Sequence, residues 1–313
     1  MPNATLIAGS PCTTVAAPDP ERVARAYIAT LGFEERGRAI LTAAHAELWG
    51  VAAFPDGAQA ILLSAPGATR GWLRIVPGPR ANTHGWGARG WIASESITSD
   101  VDALYERVRE SAFVPTGAPT IFDLTHLRSV LARSVTTRGP AGEGMFFTQV
   151  LQQPDGRVLQ SGGALVGPFF NCVLSTNNLQ AAARLYRDVL EMQPLVEGVL
   201  QDAGVNALLG FPPDTAFPFC TVRGCGDGNV EIHEYPPGIT EPRADPTDRL
   251  PGGTAIYTLA TQRYEETRHA LARAGFTILG EAAGLHGFPY LGRRALTLRG
   301  PMGERLEIVE TGA

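Results

Sequence analysis

Ionisable side chains recur at every second position in residues 230–235, which read VEIHEY. Successive side chains of a β-strand point to opposite faces, so the apolar Val230 and Ile232 are expected to pack under helices. Glu231, His233 and Tyr235 then share the other face. A carboxylate beside an imidazole is suited to proton transfer, and the same two groups are common metal ligands.

Two further segments place polar side chains on the same kind of face. Residues 305–309 read RLEIV, and alternation turns Arg305 and Glu307 away from the buried side. Residues 170–175 read FNCVLS, and the same alternation exposes Asn171 on the polar face. The sequence therefore predicts one shared polar surface built from several strands.

Three interpretations of Glu231, His233 and Glu307 are open. In the first they bind a divalent metal. In the second, which we favour, no metal is needed: two nearby carboxylates raise the pKa of one of them and the imidazole relays the proton. In the third they are solvated polar residues that line a passive ligand pocket. In the second interpretation Asn171 orients a substrate oxygen and Tyr235 lines the wall.

A loop near the C-terminus has the composition of a substrate cover. Residues 284–294 read GLHGFPYLGRR, in which Gly and Pro indicate turns. His286 and Tyr290 are predicted to contact a substrate from this loop, together with Arg305. An aromatic and cationic loop is suited to a small, partly aromatic ligand.

The elements that position these residues are repeated along the chain. Residues 18–34 and 177–193 carry matching helix patterns, with Ala24, Tyr27 and Leu31 of the first in register with Ala183, Tyr186 and Leu190 of the second. Further helices are predicted at residues 100–111 and 263–274. Each helix follows one strand-like run and precedes two or three more, which gives four βαβββ units.

The predicted fold class is therefore α+β, with two domains whose curled mixed sheets form troughs. We expect an N-terminal domain at residues 1–151, a turn-rich linker at residues 152–168, and a C-terminal domain at residues 169–313 that carries the functional pocket.

These patterns resemble the vicinal oxygen chelate superfamily, which includes glyoxalase I, bleomycin-resistance proteins and extradiol dioxygenases. The resemblance rests on the helix pattern ending in Leu31-Gly32-Phe33 and on a closing pattern with Pro301, Gly303 and Glu307. It implies a trough in each domain and hosts metal enzymes, metal-free binders and lyases alike.

The resemblance also implies four metal-ligand positions in a trough. In the C-terminal half these fall on Asn171, Glu231, Ile256 and Glu307, of which only the two glutamates are good ligands. In the N-terminal half they fall on residues that do not hold a divalent cation, so that half is expected to be a degenerate copy. Those residues are Cys12, Arg74, Ala93 or Ser94, and Phe146.

Composition excludes several function classes. The chain has 313 residues and a net charge of -5, which gives no reason to expect nucleic acid as a partner. All 26 cationic side chains are Arg, which excludes lysine Schiff-base chemistry and a P-loop lysine. Four cysteines are too few for a disulfide framework, and no apolar stretch reaches the length of a membrane span. We expect a cytoplasmic protein, without a membrane partner, that could form a homodimer.

The sequence thus predicts a lyase or isomerase that acts on a small, partly aromatic metabolite by acid-base chemistry, without a cofactor. One alternative is a metal-free protein that sequesters an antibiotic or another aromatic small molecule. A further alternative is a divalent-metal enzyme with ligands Glu231, His233 and Glu307.

Overall fold

The computed structural model describes residues 5–81, 89–128, 130–153, 159–226, 228–236 and 248–312. Part of the predicted linker, residues 154–158, lies outside them. Within the described residues the four predicted units are present, and each begins with a strand followed by a helix.

The first two units contain four and five strands, respectively. Unit 1 contains β1 Gly9–Ala17, β2 Glu34–Ile40, β3 Gln59–Ser64 and β4 Trp72–Pro77. Unit 2 contains β5 Gly90–Thr98, β6 Val114–Pro115, β7 Thr120–Leu124, β8 Val130–Arg138 and β9 Gly144–Gln152.

The last two units repeat the pattern. Unit 3 contains β10 Val166–Thr176, β11 Gln193–Gln201, β12 Ala216–Arg223 and β13 Asn229–Glu234. Unit 4 contains β14 Gly253–Thr261, β15 Thr277–Ala282, β16 Ala295–Arg299 and β17 Arg305–Glu310.

The first helix of each unit lies where the sequence predicts it. These helices are α1 Pro20–Ala26, α3 Val101–Val108, α5 Leu179–Arg184 and α7 Tyr264–Arg273. Asp19, Asp100 and Asn178 cap three of them through side-chain oxygens that accept backbone N–H groups. In units 1 and 3 the helix continues into a π-helical turn, Tyr27–Leu31 and Leu185–Val189.

Three short helices were not predicted. They are α2 Ala43–Trp49, α4 Thr125–Arg128 and α6 Ala203–Leu209. Both α2 and α6 follow the second strand of their unit and end at a left-handed glycine, Gly50 or Gly210. Their sequences match as well: residues 42–50 read TAAHAELWG and residues 202–210 read DAGVNALLG. This is a second internal repeat.

The sheets pair the units differently from the expectation that each half forms its own trough. An 8-stranded sheet combines units 1 and 4, and a 9-stranded sheet combines units 2 and 3, with β7 paired to β8. The first strands of the paired units join antiparallel at the centre, β1 to β14 and β5 to β10. Each trough is therefore shared between the two halves of the chain.

The hydrophobic cores under the helices, unlike the sheets, are built mainly from residues of one half of the chain each. One core combines α1 and α3 with strands of units 1 and 2, and another combines α5 and α7 mainly with strands of units 3 and 4. Tyr27 also donates to Glu143, and Tyr186 to Glu304, which links the two units within each half. The boundaries at residues 151 and 169 stay a prediction.

Candidate functional site

Polar side chains on the open face of the 9-stranded sheet form one continuous hydrogen-bond network, and we call this face the acidic trough. Asn171 Nδ2 donates to Glu95 Oε2 at 2.8 Å and to Glu231 Oε2 at 3.1 Å. Thr148 donates to the other oxygen of Glu95 at 2.6 Å, and Thr221 lies 3.4 Å from Glu231 Oε2. One amide thus holds two carboxylates close together.

Strand register explains this convergence. Asn171 of β10 lies opposite Glu95 of the antiparallel β5, and Val173 lies opposite Glu231 of the parallel β13. The central pair therefore brings unit 2 and unit 3 side chains together.

His233 extends the network on the far side of Glu231. Its Nε2 lies 2.5 Å from Glu231 Oε1 and its Nδ1 lies 2.9 Å from the Tyr235 hydroxyl. Burial raises the pKa of Tyr235 well above its usual value, so its hydroxyl keeps a proton to donate. That assigns Nδ1 as the acceptor and Nε2 as the protonated nitrogen that donates to Glu231.

The two carboxylates differ in how deeply they are buried. Burial, followed by repulsion from Glu231, raises the pKa of Glu95 to about 7. Glu231 is less enclosed, with 14% of its side chain exposed. Asp202, the N-cap of α6, has its pKa raised mainly by burial. The acidic trough therefore holds a proton near neutral pH.

A small cavity adjoins the network. It holds about 30 Å³, room for one water molecule. Its lining is acidic, hydroxylic and apolar, and consists of Glu95, Phe122, Ser134, Phe146, Thr148, Leu200, Asp202, Val205, Glu231 and His233. Because Asp202 and Val205 belong to the cap and first turns of α6, this helix covers the cavity.

The open face of the 8-stranded sheet is filled by protein groups, and we call it the closed trough. Glu307 is fully buried and accepts from Arg74 Nη2 at 2.9 Å, Thr258 at 2.7 Å, Trp49 Nε1 at 2.8 Å and Tyr290 at 2.7 Å. Burial disfavours the charge, but Arg74 and these donors hold the pKa of Glu307 below its usual range.

Arg74 completes the closed trough. Its remaining nitrogens donate to Thr14 at 2.8 Å and to the Tyr290 hydroxyl at 2.7 Å. The guanidinium carbon lies 4.6 Å from the Trp49 ring centre and 5.6 Å from that of Tyr290. Trp49 comes from α2, which packs against β15 and β16. A buried ion pair and its aromatic cover thus occupy this trough.

These placements correct the predicted cluster. Glu231, His233 and Tyr235 share a face, and His233 bonds to both of the others, but Glu307 lies in the other sheet. The three-residue set Glu231, His233 and Glu307 does not form, because β13 pairs within the 9-stranded sheet and β17 within the 8-stranded one. The second carboxylate beside Glu231 is Glu95 and not Glu307.

The other predicted substrate contacts have different surroundings. Tyr290 is buried in the closed trough, whereas His286 is exposed. Arg305 is buried and donates to the Arg249 carbonyl at 3.1 Å. Asn171 has its Nδ2 committed to two carboxylates, so it positions them; its Oδ1 is buried and has no hydrogen-bond partner among the described residues.

The positions expected to be degenerate also divide between the troughs. Arg74 pairs with Glu307 in the closed trough, and Cys12 is buried beside them. Ala93 and Phe146 belong to an apolar cluster on the face of the acidic trough, together with Val173 and Tyr235. Each half of the chain therefore contributes to both troughs.

Sequence reasoning missed Glu95, Thr148 and Asp202. Glu95 lies two positions beyond Ala93 in residues 90–98, GWIASESIT, and alternation places both on one face. The repeat of residues 42–50 in 202–210 was a readable signal for the helix that carries Asp202.

We tested whether the acidic trough fits the divalent metal that such folds often hold. The amide nitrogen of Asn171 lies between the two carboxylates, and Glu231 bonds directly to His233. Among the described residues no group of three His, Cys, Asp or Glu side chains is arranged around a common metal position. In this arrangement the residues do not fit a metal.

Comparison with solved structures establishes the fold. A Bacillus subtilis protein described as a proposed dioxygenase matches with a TM-score of 0.63 at 14% identity, over 99% of this chain and 87% of that chain. Glyoxalase I from Zea mays matches with a TM-score of 0.58 at 14% identity, over 96% of this chain and 92% of that chain. The protein has the vicinal oxygen chelate fold, as the sequence predicted.

In sequence comparisons, no family model and no curated protein matches the chain. Within the described residues no helix combines the length and hydropathy needed to span a membrane. Cytoplasmic location and a homodimer stay predictions.

Proposed function

We propose that the protein is a lyase or isomerase that acts on a small, partly aromatic metabolite by general acid-base chemistry in the acidic trough. The observation that carries the proposal is the buried chain of hydrogen bonds from Glu95 through Asn171, Glu231 and His233 to Tyr235, beside a covered cavity. Fold likeness to glyoxalase I supports an enzyme but does not specify the reaction.

Glu231 is the proposed base. It borders the cavity, and hydrogen bonds from Asn171 and His233 hold its carboxyl group in place. His233 in turn accepts from Tyr235, so the imidazole is held in one orientation and one tautomer. When Glu231 takes a proton from a substrate carbon, the hydrogen bond from His233 Nε2 keeps the carboxyl group in place, and Glu231 itself returns the proton to the substrate.

Glu95 is the proposed acid. With its pKa raised to about 7, it carries a proton in a large fraction of molecules at neutral pH and can give that proton to a substrate. Two carboxylates held by one amide can therefore take a proton from one substrate atom and give a proton to another, as an isomerisation or elimination requires.

Solvent exchange tests this proposal with simple carbonyl compounds in place of the natural substrate. The protein would be incubated in D₂O with 2-hydroxyacetophenone (PhCOCH₂OH) and 2-aminoacetophenone (PhCOCH₂NH₂), and deuterium at the carbon beside the carbonyl would be followed by NMR. We expect protein-dependent exchange with at least one compound, reduced about 100-fold or more in both Glu231→Gln and Glu95→Gln.

Glu304→Gln is the matched control, since Glu304 is buried and bonded to Tyr186 outside both troughs. It should exchange at the wild-type rate. If Glu231→Gln exchanges as fast as the wild type, or no compound exchanges above background, the proposal is wrong. If one of these compounds binds tightly and is recovered without deuterium, the result would instead indicate a protein that sequesters a small molecule.

A further inference from the structure

The two troughs carry opposite charges at one equivalent position. In unit 1, Thr14 lies opposite Arg74 across the parallel β1 and β4; in unit 3, Val173 lies opposite Glu231 across β10 and β13. Thr14 and Val173 precede the N-caps of their helices by the same number of residues. Arg74 and Glu231 are therefore counterparts in the internal repeat.

The closed trough shows what this geometry accommodates at that position. There a guanidinium is held by the Glu307 carboxylate at 2.9 Å and by the hydroxyls of Thr14 and Tyr290, and it stacks over Trp49. The cation is supplied by the chain itself, so this trough is neutralised internally.

The acidic trough has the acceptors and, among the described residues, lacks the cation. Glu95, Asp202 and Glu231 line its cavity, and apart from His233 the described residues of the lining include no basic side chain. Asn171 lies behind this lining, where it bonds to Glu95 and Glu231, and its Oδ1 is buried without a hydrogen-bond partner in the described part of the chain. Buried acceptors and like charges of this kind are stabilised by a donor-rich cation.

The walls of the cavity indicate the rest of the ligand. Phe122, Phe146, Leu200 and Val205 line it, and Phe217 packs behind with its ring centre 5.1 Å from that of His233. Aromatic faces attract organic cations, and apolar walls favour an apolar substituent.

We propose that the acidic trough binds a small organic cation, a guanidinium, amidinium or protonated amine with an apolar or aromatic group, in the place that the Arg74 guanidinium takes in the closed trough. The inference rests on the proposed function in taking the acidic trough as the substrate site. Anionic substrates are rejected, because they would meet three carboxylates and, among the described lining residues, no basic partner other than His233.

Four isosteric probes test the charge of the ligand. Calorimetric titration of the full chain with benzamidine, benzylamine, benzyl alcohol and benzoate compares two cations with a neutral compound and an anion of nearly the same shape. We expect at least one cation to bind about 30-fold more tightly than the alcohol and benzoate not to bind measurably. Equal binding of the alcohol, measurable binding of benzoate, or failure of both cations would overturn the proposal.

Variants locate the binding. Glu231→Gln should weaken the bound cation about 30-fold, and Glu304→Gln should leave its affinity unchanged. Equal weakening by both would overturn the assignment to this trough. A parallel titration with MnCl₂ is the remaining arm: stoichiometric manganese that displaces benzamidine and is lost in Glu231→Gln would show an inorganic cation site and overturn the organic one.

The two proposals fail separately. Cation binding without deuterium exchange would support the ligand class and contradict acid-base catalysis. Exchange of 2-hydroxyacetophenone in a protein that binds neither cation would support catalysis and contradict the ligand class.

Discussion

At the scale of single residues, one exchange of charge separates the two troughs. Arg74 neutralises Glu307, whereas its counterpart Glu231 faces Glu95 with an amide between them. The first arrangement is a satisfied ion pair, and in the proposed function the second keeps a proton that can be moved. Under that proposal, a single position in a repeated fold separates a structural trough from a reactive one.

The ion pair predicts a large stability effect. Arg74→Met leaves the buried Glu307 without its opposing charge and should lower the free energy of unfolding by about 3–5 kcal/mol, measured by urea denaturation. The double variant Arg74→Met, Glu307→Gln should recover part of this loss, since no charge remains buried. Arg38→Met, which breaks an exposed ion pair with Glu35, is the control. An Arg74→Met loss no larger than that of the control would contradict the account.

At the scale of elements, the repeated helices α2 and α6 cover the two troughs in different ways. Trp49 of α2 bonds to Glu307, and a Cβ at Gly280 of β15 would lie 1.9 Å from the Glu47 carbonyl oxygen, so α2 sits tightly on its trough. The counterpart of Trp49 in α6 is Leu209, which is only half-buried. The cavity beside α6 holds about 30 Å³, so the proposed function requires this helix to move when an aromatic metabolite binds.

Amide hydrogen exchange would measure that difference. Residues 203–209 should exchange faster than residues 43–49 in the free protein, because fewer of the described side chains of α6 are buried. Benzamidine should slow exchange in α6 and leave α2 unchanged. Equal protection of the two helices, or slowing of α2 alone, would show that α6 is not the cover that opens.

Local sequence patterns predicted the elements well and the pairing of units poorly. Alternation placed Glu231, His233 and Tyr235 on one face, and capping signals gave α1, α3, α5 and α7. Which units share a sheet depends on the antiparallel contacts of β1 with β14 and β5 with β10, and these join residues far apart in the chain. No short-range pattern encodes such contacts, so Glu307 was assigned to the wrong trough.

At the scale of the whole molecule, two equivalent buried pairs hold the units of each half together. Tyr27 donates to Glu143 at 2.6 Å and Tyr186 to Glu304 at 2.8 Å. Burial raises the pKa of both glutamates from 4.5 to about 7. Ionisation of Glu143 and Glu304 therefore opposes folding, the first in the N-terminal half and the second in the C-terminal half.

This predicts a stability that depends on pH. A carboxyl whose pKa is higher in the folded than in the unfolded state contributes fully below the unfolded value of 4.5, and its contribution is lost as pH rises through about 7. As the pH is raised from about 5 to about 8, the urea concentration at the unfolding midpoint should therefore decrease. The double variant Glu143→Gln, Glu304→Gln should show a smaller decrease. A decrease of the same size in the variant would contradict this origin.

The central claim is that Glu95 and Glu231 form an acid-base pair, and an NMR titration of the protein labelled with ¹³C at the glutamate carboxyls tests it most directly. Glu95→Gln identifies the Glu95 signal, which should titrate near pH 7, and in Glu231→Gln that titration should move to lower pH because a repelling charge is gone. The titration midpoints of Glu143 and Glu304 should be the same in Glu231→Gln as in the wild type. A Glu95 signal that titrates near 4.5, or one that Glu231→Gln leaves unchanged, would contradict the account.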